Sequence, residues 1–261
     1  MNERIVWALI ATLGTWALTA LGAAVVVFFR SPSRRVLNLL LGFSAGVMIA
    51  ASFWSLLLPA TERAAERGST AWAVVTAGFL AGAIFIWVSD KAVCAARRRC
   101  GAMTDGRGDR IVMLVLSITL HNIPEGLAVG VAFGSLATLS GDGLMGAVTV
   151  ALGIGLQNFP EGAAVSLPLR REGMSRRRSF LLGQASGMVE PVAGLVGAWL
   201  VVYIQAVLPF ALAFAAGAMI VVAVHELIPE CQEQQQTQPY LATAGIILGF
   251  AVMTLLDVAL S

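Results

Sequence analysis

Long apolar segments separated by short polar connections make up most of the chain. An α-helix needs about 20 mostly apolar residues to cross a bilayer. Segments of at least this length occupy residues 5–29, 36–59, 70–90, 110–135, 142–168, 179–204, 207–229 and 239–260. They are neither short nor alternating, as barrel strands would be, and lipid accepts only helices or closed barrels. The pattern therefore predicts an all-α integral membrane protein with eight transmembrane helices, forming a single domain over residues 1–261.

Composition supports this prediction and excludes several other classes of protein. The chain is 58% hydrophobic and 12% charged, with a mean hydropathy of +0.83, whereas soluble domains carry about 25% charged residues. A soluble enzyme, a disordered chain and a nucleic-acid-binding protein are therefore excluded, and the lipid bilayer is the expected surrounding. The first apolar segment is longer than the roughly 7–15 apolar residues of a signal peptide, so we expect it to be retained.

Basic residues indicate the orientation in the membrane. They are concentrated in the connections after helices 1, 3, 5 and 7: Arg30, Arg34, Arg35, Lys91, Arg97, Arg98, Arg99, Arg107, Arg110, Arg170, Arg171, Arg176, Arg177 and Arg178. The positive-inside rule places these connections in the cytoplasm and both termini outside it. The Ala- and Arg-rich composition and the absence of a targeting peptide favour a bacterial inner membrane. The longest of these connections, 91–109, contains three glycines, and we expect a flexible cytoplasmic loop between helices 3 and 4.

Three internal similarities predict an inverted repeat. HNIPEGLAV at 121–129 recurs as QNFPEGAAV at 157–165. Residues 46–62 resemble 217–233, and the spacing of Gly78, Gly82 and Asp90 recurs in Gly245, Gly249 and Asp257. These matches place helices 1–3 opposite helices 6–8, upside down, around a central helix 4/5 pair. Inverted repeats of this kind are typical of secondary transporters.

Ionisable residues within the apolar segments indicate where the chemistry lies. Lys and Arg are absent from these segments apart from their ends, but carboxylates and both histidines are present: Glu125, Glu161, Glu190, Glu226, Asp257, His121 and His225. Such groups are costly in a membrane unless they are paired or line a wet path. Because no basic partner is available, protons or cations must neutralise the carboxylates. The pattern therefore predicts a cation pathway.

Helices 4 and 5 carry the densest group of these residues. His121 and Glu125 share one helical face, beside Asn122, and helix 5 repeats the arrangement with Gln157, Asn158 and Glu161. Pro124 and Pro160 each lack an N–H, which frees a backbone carbonyl and opens the helix locally. Glu190 in helix 6 could add a third carboxylate. An imidazole with carboxylate and amide oxygens suits Zn²⁺ first, and also Fe²⁺, Mn²⁺, Co²⁺ or Cd²⁺.

These motifs resemble those of the ZIP (Zrt/Irt-like) family of divalent metal transporters, in a bacterial branch. HNIPEG, QNFPEG, MVEP and HELIPE lie in helices 4, 5, 6 and 7, so the similarity covers essentially the whole chain. The resemblance implies zinc uptake toward the cytosol by alternating access through a two-metal centre between helices 4 and 5. It also implies that the ligands are His121, Asn122, Glu125, Gln157, Asn158, Glu161, Glu190 and the thioether of Met48. Many relatives have Asp at the position of Asn158 and some have His at that of Gln157, and both departures lower the charge of the site.

The sequence leaves the roles of several residues and some alternative functions open. His225 and Glu226 could form a gate on the pathway or be structural, while Asp90 and Asp257 fit helix caps better than ligands. Gly-x-x-x-Gly pairs indicate close helix packing and are compatible with a homodimer. The functional alternatives are a metal exporter, a proton-coupled antiporter and a non-transporting metal sensor. An intramembrane metallohydrolase is disfavoured because Pro229 stands where a zincin has its second His ligand, so we do not expect an enzyme.

Overall fold

The computed structural model describes residues 2–29, 33–68, 70–99, 107–137, 141–232 and 240–260. Eight helices long and apolar enough to cross a membrane occupy these ranges, and no strand occurs within them. They are α1 Glu3–Phe28, α2 Arg34–Ala65, α3 Ala71–Arg99, α4 Arg107–Gly134, α5 Asp142–Arg171, α6 Arg176–Tyr203, α7 Gln205–Gln232 and α8 Leu241–Leu260. The prediction of an all-α protein with eight membrane-spanning helices is confirmed.

Local sequence signals set the ends and irregularities of the helices. The side chains of Asn2, Ser33 and Ser175 accept hydrogen bonds from the first turns of α1, α2 and α6, as N-caps do. Helix α2 is π-helical over Ala51–Leu57, and α7 over Ala223–Leu227. A proline follows closely in both helices, and its missing N–H and its ring disturb the preceding turn.

The helices extend into the connection that the sequence predicts to be a loop. Helix α3 continues to Arg99 and α4 begins at Arg107, so both ends of the segment 91–109 are helical. Residues 100–106 lie outside the described part of the chain, as does Arg30. Flexibility of this connection therefore stays a prediction.

Helix packing follows the predicted repeat. The most extensive helix pairs are α2 with α8, α3 with α7, α1 with α5, and α4 with α6. Exchanging α1–α3 with α6–α8, and α4 with α5, converts the first pair into the second and the third pair into the fourth. The bundle therefore consists of two four-helix groups, α1/α4/α5/α6 and α2/α3/α7/α8, each symmetric under the same exchange.

Glycine positions at the helix crossings show the same symmetry at the level of atoms. A Cβ at Gly46 would overlap the carbonyl oxygen of Ile246, and a Cβ at its repeat partner Gly217 would overlap that of Phe79. Both crossings therefore need a residue without a side chain, because the helix backbones are in direct contact. Gly82 and Gly249 show a second matched pair of contacts, with the carbonyls of Phe214 and Phe43.

The helices differ in how much of their apolar stretch is buried, and the bundle has two chemically different faces. Of the apolar stretch of α2 and of α7, 61% is buried, against 17% for α3 and 22% for α8, so α3 and α8 lie on the outside. We call the end where α1 begins and α8 ends the terminus face. The opposite end, where α1 ends and α2 begins, carries most of the arginines and is called the basic face.

The crossings predict how glycine substitutions affect stability. Gly82→Ala places a methyl group against the backbone of Phe214 and should destabilise the protein by about 1–3 kcal/mol. Gly14→Ala is the matched control, because nothing lies within 4 Å of a Cβ there. It should leave the melting temperature unchanged or raise it. Thermal unfolding of both variants in detergent checks this, and equal melting temperatures would contradict the packing described.

Candidate metal centre

The residues expected as ligands on α4, α5 and α6 lie together in the bundle interior. None is more than 5% exposed: His121, Asn122, Glu125, Gln157, Asn158, Glu161 and Glu190. Pro124 and Pro160 lie inside helices that remain helical on both sides of them. The structure thus brings the two Pro-Glu-Gly motifs into one buried centre.

The glycine of each motif allows a neighbouring helix to approach closely. A Cβ at Gly126 would overlap the carbonyl oxygen of Glu190 in α6, and a Cβ at Gly162 would overlap that of Thr19 in α1. Helices α6 and α1 therefore lie backbone to backbone against the motif helices. This contact places side chains from α1 and α6 beside the centre.

Two of the carboxylates are oriented by one neutral donor each. The amide Nε2 of Gln157 donates to Oε1 of Glu125 at 2.5 Å, which links α5 to α4. The hydroxyl of Ser44 in α2 donates to Oε1 of Glu161 at 2.7 Å. These bonds fix the direction of both carboxylates without supplying a compensating charge.

Glu190 is held by a different set of partners. Its Oε2 accepts hydrogen bonds from the hydroxyl of Thr15 at 2.5 Å and from Nδ2 of Asn158 at 2.8 Å. Its Oε1 faces the hydroxyl of Thr19 at 3.3 Å. Thr15 and Thr19 belong to α1, so this carboxylate connects three helices of one group.

Several buried oxygens in the centre have no hydrogen-bond partner within the described residues. All of them are acceptors: Oδ1 of Asn122, Oε2 of Glu125, Oε1 of Gln157 and Oδ1 of Asn158. Buried polar atoms are nearly always paired, so such a group calls for an explanation. Four unpaired acceptors next to carboxylates form a set of donor atoms suited to a cation.

A second cluster adjoins the centre through His121. Nε2 of His121 lies 2.5 Å from Oε1 of Glu226, and Ser117 donates to Oε2 of the same carboxylate at 3.0 Å. Three side chains each offer one potential metal-ligand atom here, and these atoms lie within 4.8 Å of one another: Asp90, His121 and Glu226. Asp90 therefore faces the interior beside other potential ligands, which differs from the helix cap that its sequence position favours.

Within the described part of the chain, cavities lie at both faces of the bundle and beside the centre. A cavity of about 540 Å³ opens at the terminus face, where Ser55 donates to Asp257 at 2.7 Å. A cavity of about 20 Å³, with room for one water-sized species, is lined by His121, Glu161 and Glu226 among others. It shares Leu41 and Glu230 with a cavity of about 150 Å³ that reaches Arg34 at the basic face.

Three further residues are predicted to bind the metal or to line its pathway: Met48, His225 and Glu226. Met48 is fully buried in α2, close to Ser52, whose hydroxyl donates to the Met48 carbonyl. His225 lies in the π-helical turn of α7 with an exposed side chain, whereas Glu226 lines the small cavity. Of this adjacent pair, Glu226 is thus the residue in contact with the centre.

Sequence reasoning missed the neutral residues that support the centre. Ser44, Thr15 and Thr19 are fully or almost fully buried and contact its carboxylates. A signal existed for α1, because Thr12, Thr15 and Thr19 recur at helical spacing in an otherwise apolar segment. Asp90 could have been found from its repeat partner Asp257, since both interrupt apolar helices.

The fold and the buried acceptor-rich centre define a class, that of membrane transporters built from an inverted repeat. Comparison with known proteins identifies the family. A family model for the ZIP zinc transporter matches residues 101–257. The human "Zinc transporter ZIP11" is 39% identical and aligns with 99% of this chain and 98% of its own length. "Zinc transporter GufA" of Myxococcus xanthus is 37% identical over 97% of this chain and 98% of that protein. "Zinc transporter ZIPB" of Bordetella bronchiseptica is 38% identical over 97% of this chain and 81% of that protein. The chain belongs to the ZIP family.

The hydrogen bond from Ser44 to Glu161 predicts that two buried serines of α2 contribute unequally to stability. Ser44→Ala leaves Oε1 of Glu161 without its hydroxyl donor and should lower the free energy of unfolding by about 1–3 kcal/mol. Ser52→Ala is the control, because its hydroxyl donates only to the carbonyl of Met48 in its own helix, and its effect should be smaller. Thermal unfolding in detergent measures both, and an equal effect of the two substitutions would contradict the assigned role of Ser44.

Proposed function

We propose that this protein carries a divalent transition-metal ion, zinc first, across the membrane toward the cytosol through the centre between α4 and α5. The observation that carries the proposal is the presence of unpaired acceptor oxygens on two neighbouring residues, Oε2 of Glu125 and Oε1 of Gln157. Membership of the ZIP family supports the class of substrate.

Charge balance supports a cation at this position. Glu125 and Glu161 are buried, and the apolar segments contain no Lys or Arg apart from their ends. An uncompensated charge at membrane depth costs several kcal/mol. One divalent ion offsets the charge of these two carboxylates, and His121 and Gln157 then serve as neutral ligands.

The donor atoms favour zinc but also admit related ions. Imidazole nitrogen with carboxylate and amide oxygens suits Zn²⁺, and Fe²⁺, Mn²⁺, Co²⁺ and Cd²⁺ share these preferences. Ca²⁺ and Mg²⁺ would prefer oxygen ligands throughout. A thioether from Met48 would favour the softer ions, such as Cd²⁺.

The cavities suggest the route of the ion. It enters the cavity of about 540 Å³ at the terminus face, which contains Asp257 and Glu62. It reaches the centre and leaves past Asp90, His121 and Glu226 toward the basic face, where Glu230 lines both remaining cavities. The positive-inside rule assigns the basic face to the cytoplasm. An inside-negative potential then favours inward movement by roughly 4.6 kcal/mol per divalent ion at 100 mV.

The repeat suggests how access alternates. Leu208 and Leu212 line the large cavity at the terminus face, while their repeat partners Leu37 and Leu41 line the smaller one at the basic face. Equivalent surfaces of the two repeats are thus open to different extents. Movement of one four-helix group relative to the other would exchange the open and the closed face.

Zinc flux into proteoliposomes loaded with a fluorescent chelator tests the proposal. Glu125→Gln and His121→Ala should each reduce the initial rate more than tenfold, because each removes a ligand while the helices remain packed. Glu66→Gln, an exposed carboxylate on the terminus face, is the control and should transport normally. Normal flux in both site variants would contradict the proposed site.

The same assay distinguishes uptake from the alternatives when the orientation of the protein is known. Zinc entering only vesicles whose basic face is inside supports uptake, and the opposite dependence would show an exporter. Flux that requires an opposing proton gradient would show an antiporter.

Transport should decrease in acid. Metal ligands bind in their deprotonated form, so protons compete with the ion. Zinc uptake should therefore fall several-fold between pH 7 and pH 5. Initial rates measured at equal free zinc check this, with Glu66→Gln again as the control. Undiminished uptake at pH 5 would contradict a ligand set that contains His121.

A further inference from the structure

Glu190 differs from the other carboxylates of the centre in how completely it is hydrogen-bonded. Thr15 and Asn158 both donate to Oε2, and the hydroxyl of Thr19 faces Oε1. Each carboxylate oxygen offers about two lone-pair directions, so two donors occupy those of Oε2. Gly187 packs against Oε1, since a Cβ there would lie 3.1 Å from this oxygen.

Glu125 shows the opposite arrangement. Only its Oε1 has a donor, the amide of Gln157, while Oε2 is buried without a partner in the described part of the chain. A zinc ion must lie about 2.0–2.2 Å from a carboxylate oxygen that ligates it. Glu125 presents such an oxygen, whereas Oε2 of Glu190 is already enclosed by donors.

We propose that the side of the centre bounded by α1 and α6 holds no second metal ion, because Thr15, Thr19 and Asn158 keep Glu190 as a hydrogen-bonded positioning residue. This inference rests on the proposed metal site and states which part of the centre an ion occupies. The ion lies on the side of His121, Glu125, Gln157 and Glu161.

The chemistry of Asn158 is decisive for this exclusion. Its amide donates to Glu190 and also reaches the carbonyl of Thr15 at 3.3 Å. A carboxylate at this position could donate neither bond, and two acids would then face each other. Such a pair needs a proton or a cation between them, whereas the amide and the acid satisfy each other directly.

The amide oxygens of Asn122 and Asn158 do not alter this conclusion. Both are unpaired acceptors, but both are neutral, and the amide of Asn122 is anchored to the carbonyl of Ser186 at 2.9 Å. An ion that bound Glu190 on this side would have to displace the hydrogen bonds that Thr15, Thr19 and Asn158 donate to its carboxylate. Buried donors that lose their acceptor are costly in the low-dielectric interior, which disfavours an ion there.

Glu190 thus positions helices instead of binding metal. Its hydrogen bonds join α1, α5 and α6 next to Gln157, the residue that orients Glu125. Removing a donor from Glu190 should therefore weaken metal binding indirectly, through the placement of α5.

The number of zinc ions bound per chain tests this inference, measured on the full-length protein in detergent by native mass spectrometry and calorimetric titration. Glu190→Gln should bind the same number as the wild type. Asn158→Asp should bind one more at neutral pH and excess zinc, since zinc then displaces the proton that the carboxylate pair would otherwise share. Loss of one zinc ion in Glu190→Gln, or an unchanged number in Asn158→Asp, would overturn the proposal.

Two threonines of α1 provide a matched pair of variants that tests whether Glu190 positions the helices. Thr15→Val removes a donor to Glu190 and should weaken zinc binding about tenfold, and Thr15→Ser should restore it. Thr12→Val is the control, because the Thr12 hydroxyl donates to carbonyls of its own helix, those of Ala8 and Leu9. Equal effects of Thr15→Val and Thr12→Val would contradict the role of Thr15. A wild-type protein that neither binds nor transports zinc would instead contradict the proposed function itself.

Discussion

Carboxylates buried without basic partners are the constraint on which the rest of the structure depends. Glu125, Glu161 and Glu190 lie in the interior of a bundle whose apolar segments lack Lys and Arg apart from their ends. In a medium of low dielectric constant each must be hydrogen-bonded, protonated or bound to a cation. Two of these carboxylates differ in how they are hydrogen-bonded. Neutral hydroxyl and amide donors surround Glu190, while Glu125 keeps a free acceptor oxygen beside the other unpaired acceptors.

The inverted repeat explains why these residues meet and why the two halves differ. The exchange that relates the helix pairs also matches Gln157 with His121, Ser55 with Glu226 and Asp257 with Asp90. At the terminus face, one carboxylate bonded to a hydroxyl lines a wide cavity. On the side toward the basic face, two carboxylates and an imidazole converge in a narrow region. A symmetric backbone thus carries an asymmetric distribution of charge, in which the potential ligands are concentrated on one side of the centre.

Much of the fold could be predicted from sequence because lipid leaves few choices. The length and polarity of the segments specify eight helices, and the repeated Pro-Glu-Gly motifs indicate that α4 and α5 form the centre. The residues that donate hydrogen bonds to the carboxylates could not be predicted in the same way. Ser44, Thr15 and Thr19 are small residues that also occur as ordinary packing in membrane helices. Their role depends on which helices become neighbours, and Gly126 and Gly162 decide this through contacts that only the three-dimensional structure shows. Asp90 is a similar case, since the predicted segment 70–90 ends there, whereas the helix continues to Arg99 and places Asp90 beside His121.

We expect the unpaired oxygens of Glu125 and Gln157, between α4 and α5, to receive the transported ion, and this is our central claim. Anomalous diffraction at the zinc absorption edge, from crystals of the protein grown with zinc, tests this claim most directly. We expect an anomalous peak within ligand distance, about 2.0–2.2 Å, of His121, Glu125 and Glu161, and none beside Glu190. An interior with no such peak between α4 and α5, or with zinc bound only at the surface, would contradict it.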